Sequence, residues 1–188
     1  GLRLIAGVDE VGRGPLAGPV VAAAVLLPPR ADLAGLKDSK QLTAKQRELL
    51  ARRIRDLALA CKVVAIRAPL IDTLGIQQAS LLAMSRAVGA LRPVPELVLV
   101  DGPWPLELAL PQVAVVKGDQ RCLGIAAAAV VAKVYRDGLM QLYHRHYPQY
   151  NFASHKGYGT PEHLAALERW GPCPLHRRTF RGVKEWYL

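Results

Sequence analysis

The chain has 188 residues, of which 51% are hydrophobic and 21% are charged, a balance that argues against a disordered or membrane-spanning protein. Its 25 lysines and arginines against 15 acidic residues give a net charge of +10, which favours nucleic acid, and after it a membrane surface, as partner. Cys61, Cys122 and Cys173 are widely spaced and odd in number, which argues against a disulfide framework or structural zinc site and predicts a reducing, cytoplasmic compartment.

Short apolar runs rich in Val and Ile predict β-strands, several of them buried on both faces. In chain order they are Leu4–Val8, Val20–Leu27, Lys62–Ile66, Leu97–Val100 and Val113–Val116.

Four segments between and after these runs predict helices. The first opens with a capping box of Thr43 and Gln46, and the last begins at Thr160-Pro161 and ends at Gly171. The other two cover Ile71 to Leu91 and Gln120 to about Tyr147. The order β-β-α-β-α-β-β-α, followed by small C-terminal helices, predicts one α/β domain over residues 1–188, with a mixed sheet covered by helices.

Carboxylates follow three of the predicted strands. Asp9 and Glu10 come after the first, Asp101 after the fourth, and Asp119 shortly after the fifth. A single acid at a strand end is most often just the first solvated position, but ligand sites of α/β sheets gather at the carboxyl ends of strands. Several acids there would repel one another unless divalent cations bind between them. The four acids therefore predict phosphodiester hydrolysis with two Mg²⁺ or Mn²⁺ ions about 3.5–4 Å apart.

Asp137 is a second candidate for the fourth acid. It lies 18 residues beyond Asp119, about 27 Å along a straight helix, so both cannot reach one pair of metal ions. Asp119 follows a strand at a point where a helix begins and is preferred for that reason. Asp137 is expected to pair with a neighbouring Lys or Arg on a helix face.

Two glycine-containing segments are candidate nucleic-acid contacts. Gly12-Arg13-Gly14 most simply predicts a tight turn. Alternatively, its backbone approaches a ligand closely and Arg13 contacts phosphate. In the second segment, which contains His155 and Lys156, Tyr158 can pack locally or stack on a sugar or base. Lys40 either belongs to a capping loop or contacts phosphate.

The chain carries an ordered set of motifs, which are Gly7-Val8-Asp9-Glu10-Val11-Gly12-Arg13-Gly14-Pro15-Leu16-Ala17-Gly18-Pro19-Val20, Asp38-Ser39-Lys40, Asp101-Gly102, Lys117-Gly118-Asp119, Ala132-Lys133-Val134-Tyr135-Arg136-Asp137, His155-Lys156-Gly157-Tyr158-Gly159-Thr160, His163, Gly171-Pro172 and His176-Arg177-Arg178-Thr179-Phe180. This ordered set resembles the ribonuclease HII family over nearly the whole chain. The family usually has serines where this chain has Ala126 and Ala129. Those positions are expected to serve helix packing or hydrogen bonds to the residues that bind metal, so the departure bears on fine tuning rather than on the chemistry.

The resemblance implies a ribonuclease H-like fold with a metal site of Asp9, Glu10, Asp101 and Asp119. It implies that Gly12-Arg13-Gly14 reads the 2′-hydroxyl of a ribonucleotide and that Tyr158 stacks on the following deoxyribose. The expected substrates are RNA–DNA hybrids and DNA duplexes with embedded ribonucleotides, cut on the 5′ side to leave a 3′-hydroxyl. A monomer is expected, and no sliding-clamp motif is recognised.

The rival interpretation from another class is a non-catalytic module that binds RNA–DNA hybrids through its basic surface. Such a module would need no metal and show no turnover. The grouped carboxylates oppose it, because acids weaken phosphate binding unless cations occupy them.

Overall fold

The computed structural model describes residues 3–36 and 41–188. A mixed sheet of five strands lies at the centre, in the order β3-β2-β1-β4-β5. The strands are β1 (Ile5–Val11), β2 (Val20–Leu26), β3 (Ala60–Ile66), β4 (Leu97–Asp101) and β5 (Gln112–Val115). β2 pairs antiparallel with β1 and β3, whereas β1, β4 and β5 run parallel. The predicted α/β class and mixed sheet are confirmed.

Helices cover both faces of this sheet. They are α1 (Ala44–Leu57), α2 (Ala68–Leu74), α3 (Ile76–Gly89), α4 (Leu123–His146), α5 (Phe152–His155) and α6 (Pro161–Trp170). The Thr43–Gln46 capping box and the Thr160 N-cap form as predicted. None of the helices in the described ranges combines the length and apolar character that crossing a bilayer would require.

Three predicted boundaries are wrong. The single helix predicted over Ile71 to Leu91 is two helices, because Gly75 adopts a φ of 77° between α2 and α3. The first strand continues past Val8 to Val11. Val8 is the last residue of β1 that pairs with β4, but pairing with β2 continues to Val11. The long helix begins at Leu123 and not at Gln120, since a 3₁₀ turn precedes it.

Alternating side chains of the central strands build a core on each face of the sheet. Ala6, Val8 and Val100 point to the face covered by α3. Val21 and Ala23 of β2 point to the opposite face, which α1 and α4 cover.

Helix α4 lies unusually close to β1. A Cβ on Gly7 would come within 2.1 Å of the Gly124 carbonyl carbon, so the two backbones touch directly at this point. Ala127 and Ala128 are fully buried beside them, which confirms that small side chains let the helix approach the sheet. From this contact α4 runs along β1, so that Ala126, Ala129 and Lys133 border the same groove as Asp9 and Glu10.

The C-terminal helices form a separate apolar cluster against the far end of α4. Phe152, Leu167, Val183 and Met140 are its most buried members. This cluster supports the segment that carries Tyr158.

Candidate metal centre and nucleic-acid interface

Strand register brings Asp9 and Asp101 to the same side of the sheet. Val8 pairs with Val100 in the parallel ladder, and both point into the core under α3. The next residue on each strand must therefore point to the opposite face, toward α4. Oxygen atoms of Asp9, Glu10 and Asp101 lie within 4.8 Å of one another.

This carboxylate group is buried enough to make its charge costly. Burial raises the pKa of Asp9 well above its usual range, and the neighbouring Glu10 and Asp101 carboxylates raise it further. Burial also raises the pKa of Glu10, against the opposing effect of Arg13, whose guanidinium lies 3.6 Å away. Within the described part of the chain, Glu10 Oε2 is buried with no hydrogen-bond partner.

Asp119 lies in a tight turn after β5, near the group of Asp9, Glu10 and Asp101 but not among these three, whose oxygen atoms lie within 4.8 Å of one another. Lys117 adopts a left-handed φ of 54°, and the amide of Gly118 then donates to Asp101 Oδ1 at 2.7 Å. A Cβ on Gly118 would come within 2.4 Å of Ile125 Cδ1, so a side chain here would have to displace the end of Ile125. Asp119 adds to the rise in the pKa of Asp9 and borders the same groove.

The acids open into a groove of about 670 Å³. Its walls carry the cationic side chains of Arg47, Arg121 and Lys133, together with apolar side chains of α4 such as Leu123 and Val130. Ala126 and Ala129 also line it, so the two alanines face the groove rather than only the sheet. Helix packing, one of the two roles expected of these positions, is confirmed for Ala126, which also lies in the core between α4 and the sheet.

The donor set suits hard divalent cations. Three carboxylates with adjacent oxygens, one of them an unpartnered buried atom, offer the oxygen-only ligands that Mg²⁺ and Mn²⁺ prefer. Burial, and after it the neighbouring carboxylates, raise the pKa of Asp9, and burial raises the pKa of Glu10, so a bound cation would favour the ionised form of both. The residues therefore fit a divalent metal site.

Asp137 lies away from this group. It forms an ion pair with Lys133 one helical turn earlier, with Nζ and Oδ1 2.9 Å apart. The expected pairing on a helix face is confirmed.

The Gly12-Arg13-Gly14 turn follows directly on the acids. Arg13 and Gly14 are exposed, and Arg13 donates to Gln77 Oε1 on α3 at 2.6 Å. A Cβ on Gly14 would lie 3.7 Å from the ring of Tyr158, so turn and ring share one surface. The Tyr158 side chain is 44% exposed, which leaves its ring open to a ligand.

The side chains of His155 and Lys156 are less exposed than that of Tyr158. The His155 side chain is buried, with Nε2 2.5 Å from the Tyr150 carbonyl oxygen, while its Nδ1 accepts from the amide of Gly157. Lys156 is half-buried, and its ammonium donates to the Ala153 carbonyl. The predicted contact of Lys40 falls outside the described residues.

Two buried arginines were missed as functional candidates. Arg136 and Arg177 are both fully buried, and both donate to backbone carbonyls around the Gly12–Gly14 turn. Of residues 176–178, His176 and Arg177 are buried and only Arg178 is exposed. The burial of Arg136 could have been predicted from its helical spacing, which places it on the same buried face of α4 as Ala132 and Met140.

Three histidines form a buried cluster beneath the Tyr158 segment. His155 stacks on His163 with centroids 4.5 Å apart, and His163 Nε2 lies 3.0 Å from His176 Nε2. His163 Nδ1 faces the Tyr158 carbonyl, while His176 Nδ1 accepts from the Cys173 amide. These partners require His163 to carry its proton on Nδ1 and His176 on Nε2, with both rings neutral.

This cluster should make the fold sensitive to acid. Burial first, and then His163, lowers the pKa of His176 to about 4, so the folded ring stays neutral while the unfolded chain is protonated near pH 6.5. The free energy of unfolding should therefore fall as pH drops from about 6.5 to about 4, by at most about 3 kcal/mol. Urea unfolding at pH 7.5 and 5.0 measures this. His176→Gln should flatten the dependence, whereas a change at exposed His146 should not; an unchanged slope in His176→Gln would contradict the assignment.

Comparison with known proteins assigns the family. The family model described as Ribonuclease HII matches residues 6–183. A ribonuclease HII of Syntrophotalea carbinolica is 56% identical over 186 residues, covering 99% of this chain and 89% of that protein.

Solved structures agree with this assignment. The ribonuclease H2 of Pyrococcus horikoshii superposes with a TM-score of 0.85 at 28% identity, covering 97% of this chain and 96% of that one. The ribonuclease HII of Archaeoglobus fulgidus, solved in complex with PCNA, gives a TM-score of 0.79 at 26% identity and 95% coverage of each chain. With the match to the family model and the acidic group at the strand ends, these similarities show that the chain belongs to the ribonuclease HII family of metal-dependent ribonucleases.

Proposed function

We propose that this enzyme hydrolyses the RNA strand of RNA–DNA hybrids and nicks duplex DNA on the 5′ side of an embedded ribonucleotide. The phosphorus–O3′ bond breaks, leaving a 3′-hydroxyl and a 5′-phosphate. The observation that carries the proposal is the position of the acidic group, whose Glu10 lies two residues before the Gly12–Gly14 turn. Chemistry at the 5′-phosphate and recognition of the 2′-hydroxyl can then act on one nucleotide.

Asp9, Glu10, Asp101 and Asp119 are the residues that would hold the metal ions. Two Mg²⁺ or Mn²⁺ ions, when bound, supply an activated water and charge stabilisation for the leaving oxygen. Asp9 is fixed by the hydrogen bond from the Glu10 amide at 2.7 Å, and Asp101 by that from Gly118. Because both carboxylates are oriented before any ligand binds, little reorganisation is needed at the reacting centre.

The neighbouring surface has the features that a ribonucleotide reader needs. The exposed backbone of Arg13 and Gly14 can approach a 2′-hydroxyl, and the exposed Tyr158 ring beside them can stack on the next sugar. His155 and Lys156 serve this surface by holding its backbone, as their hydrogen bonds indicate. Lys40 is proposed as a phosphate contact from sequence alone.

The surrounding charge supports a nucleic-acid substrate. The net charge of +10 attracts the phosphate backbone, and cationic side chains of the groove lie directly beside the acids. Because the acids and the turn all come from one chain, the site needs no second subunit, which supports a monomeric enzyme.

The test is cleavage of a labelled DNA duplex that carries one ribonucleotide, with Mg²⁺, with Mn²⁺ and with chelator. The expected result is a metal-dependent nick on the 5′ side of the ribonucleotide. If only a long RNA–DNA hybrid is cut, the ribonuclease assignment stands and the reading of single ribonucleotides by the turn and Tyr158 fails. Binding of hybrids without cleavage under any metal would favour the non-catalytic module.

Tyr158→Ala should weaken selectivity more than general binding. Base or sugar stacking on an exposed aromatic is worth about 1–3 kcal/mol, so affinity for a duplex with one ribonucleotide should fall about tenfold. Affinity for an all-DNA duplex should change less than twofold, because that binding rests on phosphate contacts. Fluorescence anisotropy in chelator measures both; equal losses on the two duplexes would contradict the stacking role.

A further inference from the structure

Two buried guanidinium groups lie directly beneath the Gly12–Gly14 turn. Arg136 comes from α4 and Arg177 from the segment after α6, and each has no exposed surface. A Cβ on Gly12, whose φ is +88°, would come within 2.1 Å of Arg136 Nε. The turn is therefore in van der Waals contact with the first guanidinium.

The two groups donate to six backbone carbonyls at 2.5–3.2 Å. Arg177 holds the carbonyls of Gly12, Arg13 and Gly18. Arg136 holds those of Ala17, Pro19 and Lys156. The Lys156 carbonyl belongs to the Tyr158 segment, so the pair joins the turn and the aromatic segment into one unit.

These bonds fix the direction of two backbone amides. In a planar trans peptide the carbonyl and the following N–H point in opposite directions. Since the Gly12 and Arg13 carbonyls point inward to Arg177, the amides of Arg13 and Gly14 point outward, on exposed residues beside the Tyr158 ring. An outward N–H pair is a donor set for a hydroxyl or phosphate oxygen.

Only arginine can make this arrangement. Its planar fork presents donors in fixed directions, whereas the three donors of lysine diverge from one point. Arg177 is itself held in place, because its amide donates to the Leu16 carbonyl and its guanidinium lies 4.9 Å from the Phe180 ring centre. Asp72 of α2 fixes the next two residues through their amides at 3.0 Å.

We propose that Arg136 and Arg177 are positioning residues that set ribonucleotide selectivity by holding the Arg13 and Gly14 amides outward in register with the Tyr158 ring. The inference rests on the proposed function, because it assigns the reading surface of that site. It predicts that changing either guanidinium lowers discrimination rather than the affinity for duplex in general.

The experiment measures binding of two matched duplexes in chelator, one with a single ribonucleotide and one all-DNA. For the wild type, a lower Kd for the first duplex is expected. In Arg177→Lys and in Arg136→Lys the ratio of the two Kd values should fall at least tenfold, with the all-DNA Kd changed less than threefold. Arg178→Lys, a neighbouring exposed arginine stacked over Tyr187, should keep the wild-type ratio.

Ile54→Ala is the control that separates a loss of stability from a loss of positioning. It changes the core far from the turn, so it should lower Tm and leave the ratio of the two Kd values unchanged. If the lysine variants do not fold, Phe180→Leu tests the positioning role instead. It removes the ring beside Arg177 and keeps every hydrogen-bond donor of the two arginines, so it should lower the ratio of the two Kd values about threefold. An unchanged ratio in the folded variants overturns the positioning role. No preference in the wild type would instead overturn ribonucleotide reading itself.

Discussion

Asp9→Asn should make the metal-free protein more stable while slowing cleavage about a thousandfold or more. The loss of activity follows from removing the central member of the carboxylate group, since metal stabilisation of a reacting phosphate is worth several kcal/mol. The gain in stability follows from removing a buried charge that its neighbours repel. Opposite changes in the two quantities are not expected of an ordinary core substitution, which lowers both.

The sign of the stability change comes from the raised pKa of Asp9. Its causes are burial, then Glu10, then Asp101. Above the usual pKa near 3.8 the unfolded chain loses this proton before the folded chain does, so the free energy of unfolding falls as pH rises from there toward the raised pKa of the folded chain. Asparagine has nearly the same shape and no charge, and it removes this loss of stability.

Thermal unfolding at pH 7.5 in chelator and in Mg²⁺ provides the measurement. In chelator the variant should melt a few degrees above the wild type, since 1 kcal/mol corresponds to about 2–4 °C for a domain of this size. Mg²⁺ should raise the Tm of the wild type and leave that of the variant nearly unchanged. A variant that melts lower in chelator would show that the acids are not destabilising the fold.

Asp119→Asn should also abolish most cleavage, with a fall in kcat of about a thousandfold. Asp119 borders the groove and acts electrostatically on Asp9. Asp137→Asn is the matched control, because it removes a carboxylate from α4 that is paired with Lys133 at 2.9 Å. It should retain at least a third of the wild-type kcat, since a partly exposed helix pair contributes about 0.5 kcal/mol or less.

Single-turnover cleavage of the one-ribonucleotide duplex at saturating Mg²⁺ compares the two variants. Circular dichroism confirms that each is folded before the rates are compared. Similar losses in both variants would undo the assignment of Asp119 as the fourth ligand. A loss in Asp119→Asn that is seen only below saturating Mg²⁺ would assign Asp119 to metal affinity rather than to the rate of cleavage with metal bound.

The sheet was predictable because its strands are short runs of Val, Ile and Ala with clear ends. The boundaries that failed depend on partners elsewhere in the chain. Strand β1 extends to Val11 because β2 supplies hydrogen bonds beyond the point where β4 stops. The break at Gly75 is local, but an isolated glycine inside a helical pattern does not distinguish a kinked helix from two helices.

The acids could be located from sequence because parallel strands bring their carboxyl ends to one edge. The hydrogen-bond partners of the supporting arginines could not be predicted in this way, because they are distant in sequence. Arg136 bonds to Pro19, 117 residues away, and Arg177 bonds to Gly12, 165 residues away. No local pattern specifies which carbonyls a buried guanidinium will meet. The histidine cluster is hidden for the same reason, since its rings meet only after α5 and α6 have packed.

Salt should act differently on the affinity of the enzyme for a duplex and on its proposed selectivity for ribose over deoxyribose. Dissolved ions compete with lysine and arginine for phosphate, so overall affinity falls steeply as salt rises. The bonds from Arg136 and Arg177 to the turn are sealed from solvent and end on neutral carbonyls, where ions neither reach nor compete. A change in the ionic conditions of the cell would therefore alter how much DNA the enzyme occupies, while the proposed selectivity for a ribonucleotide should stay constant.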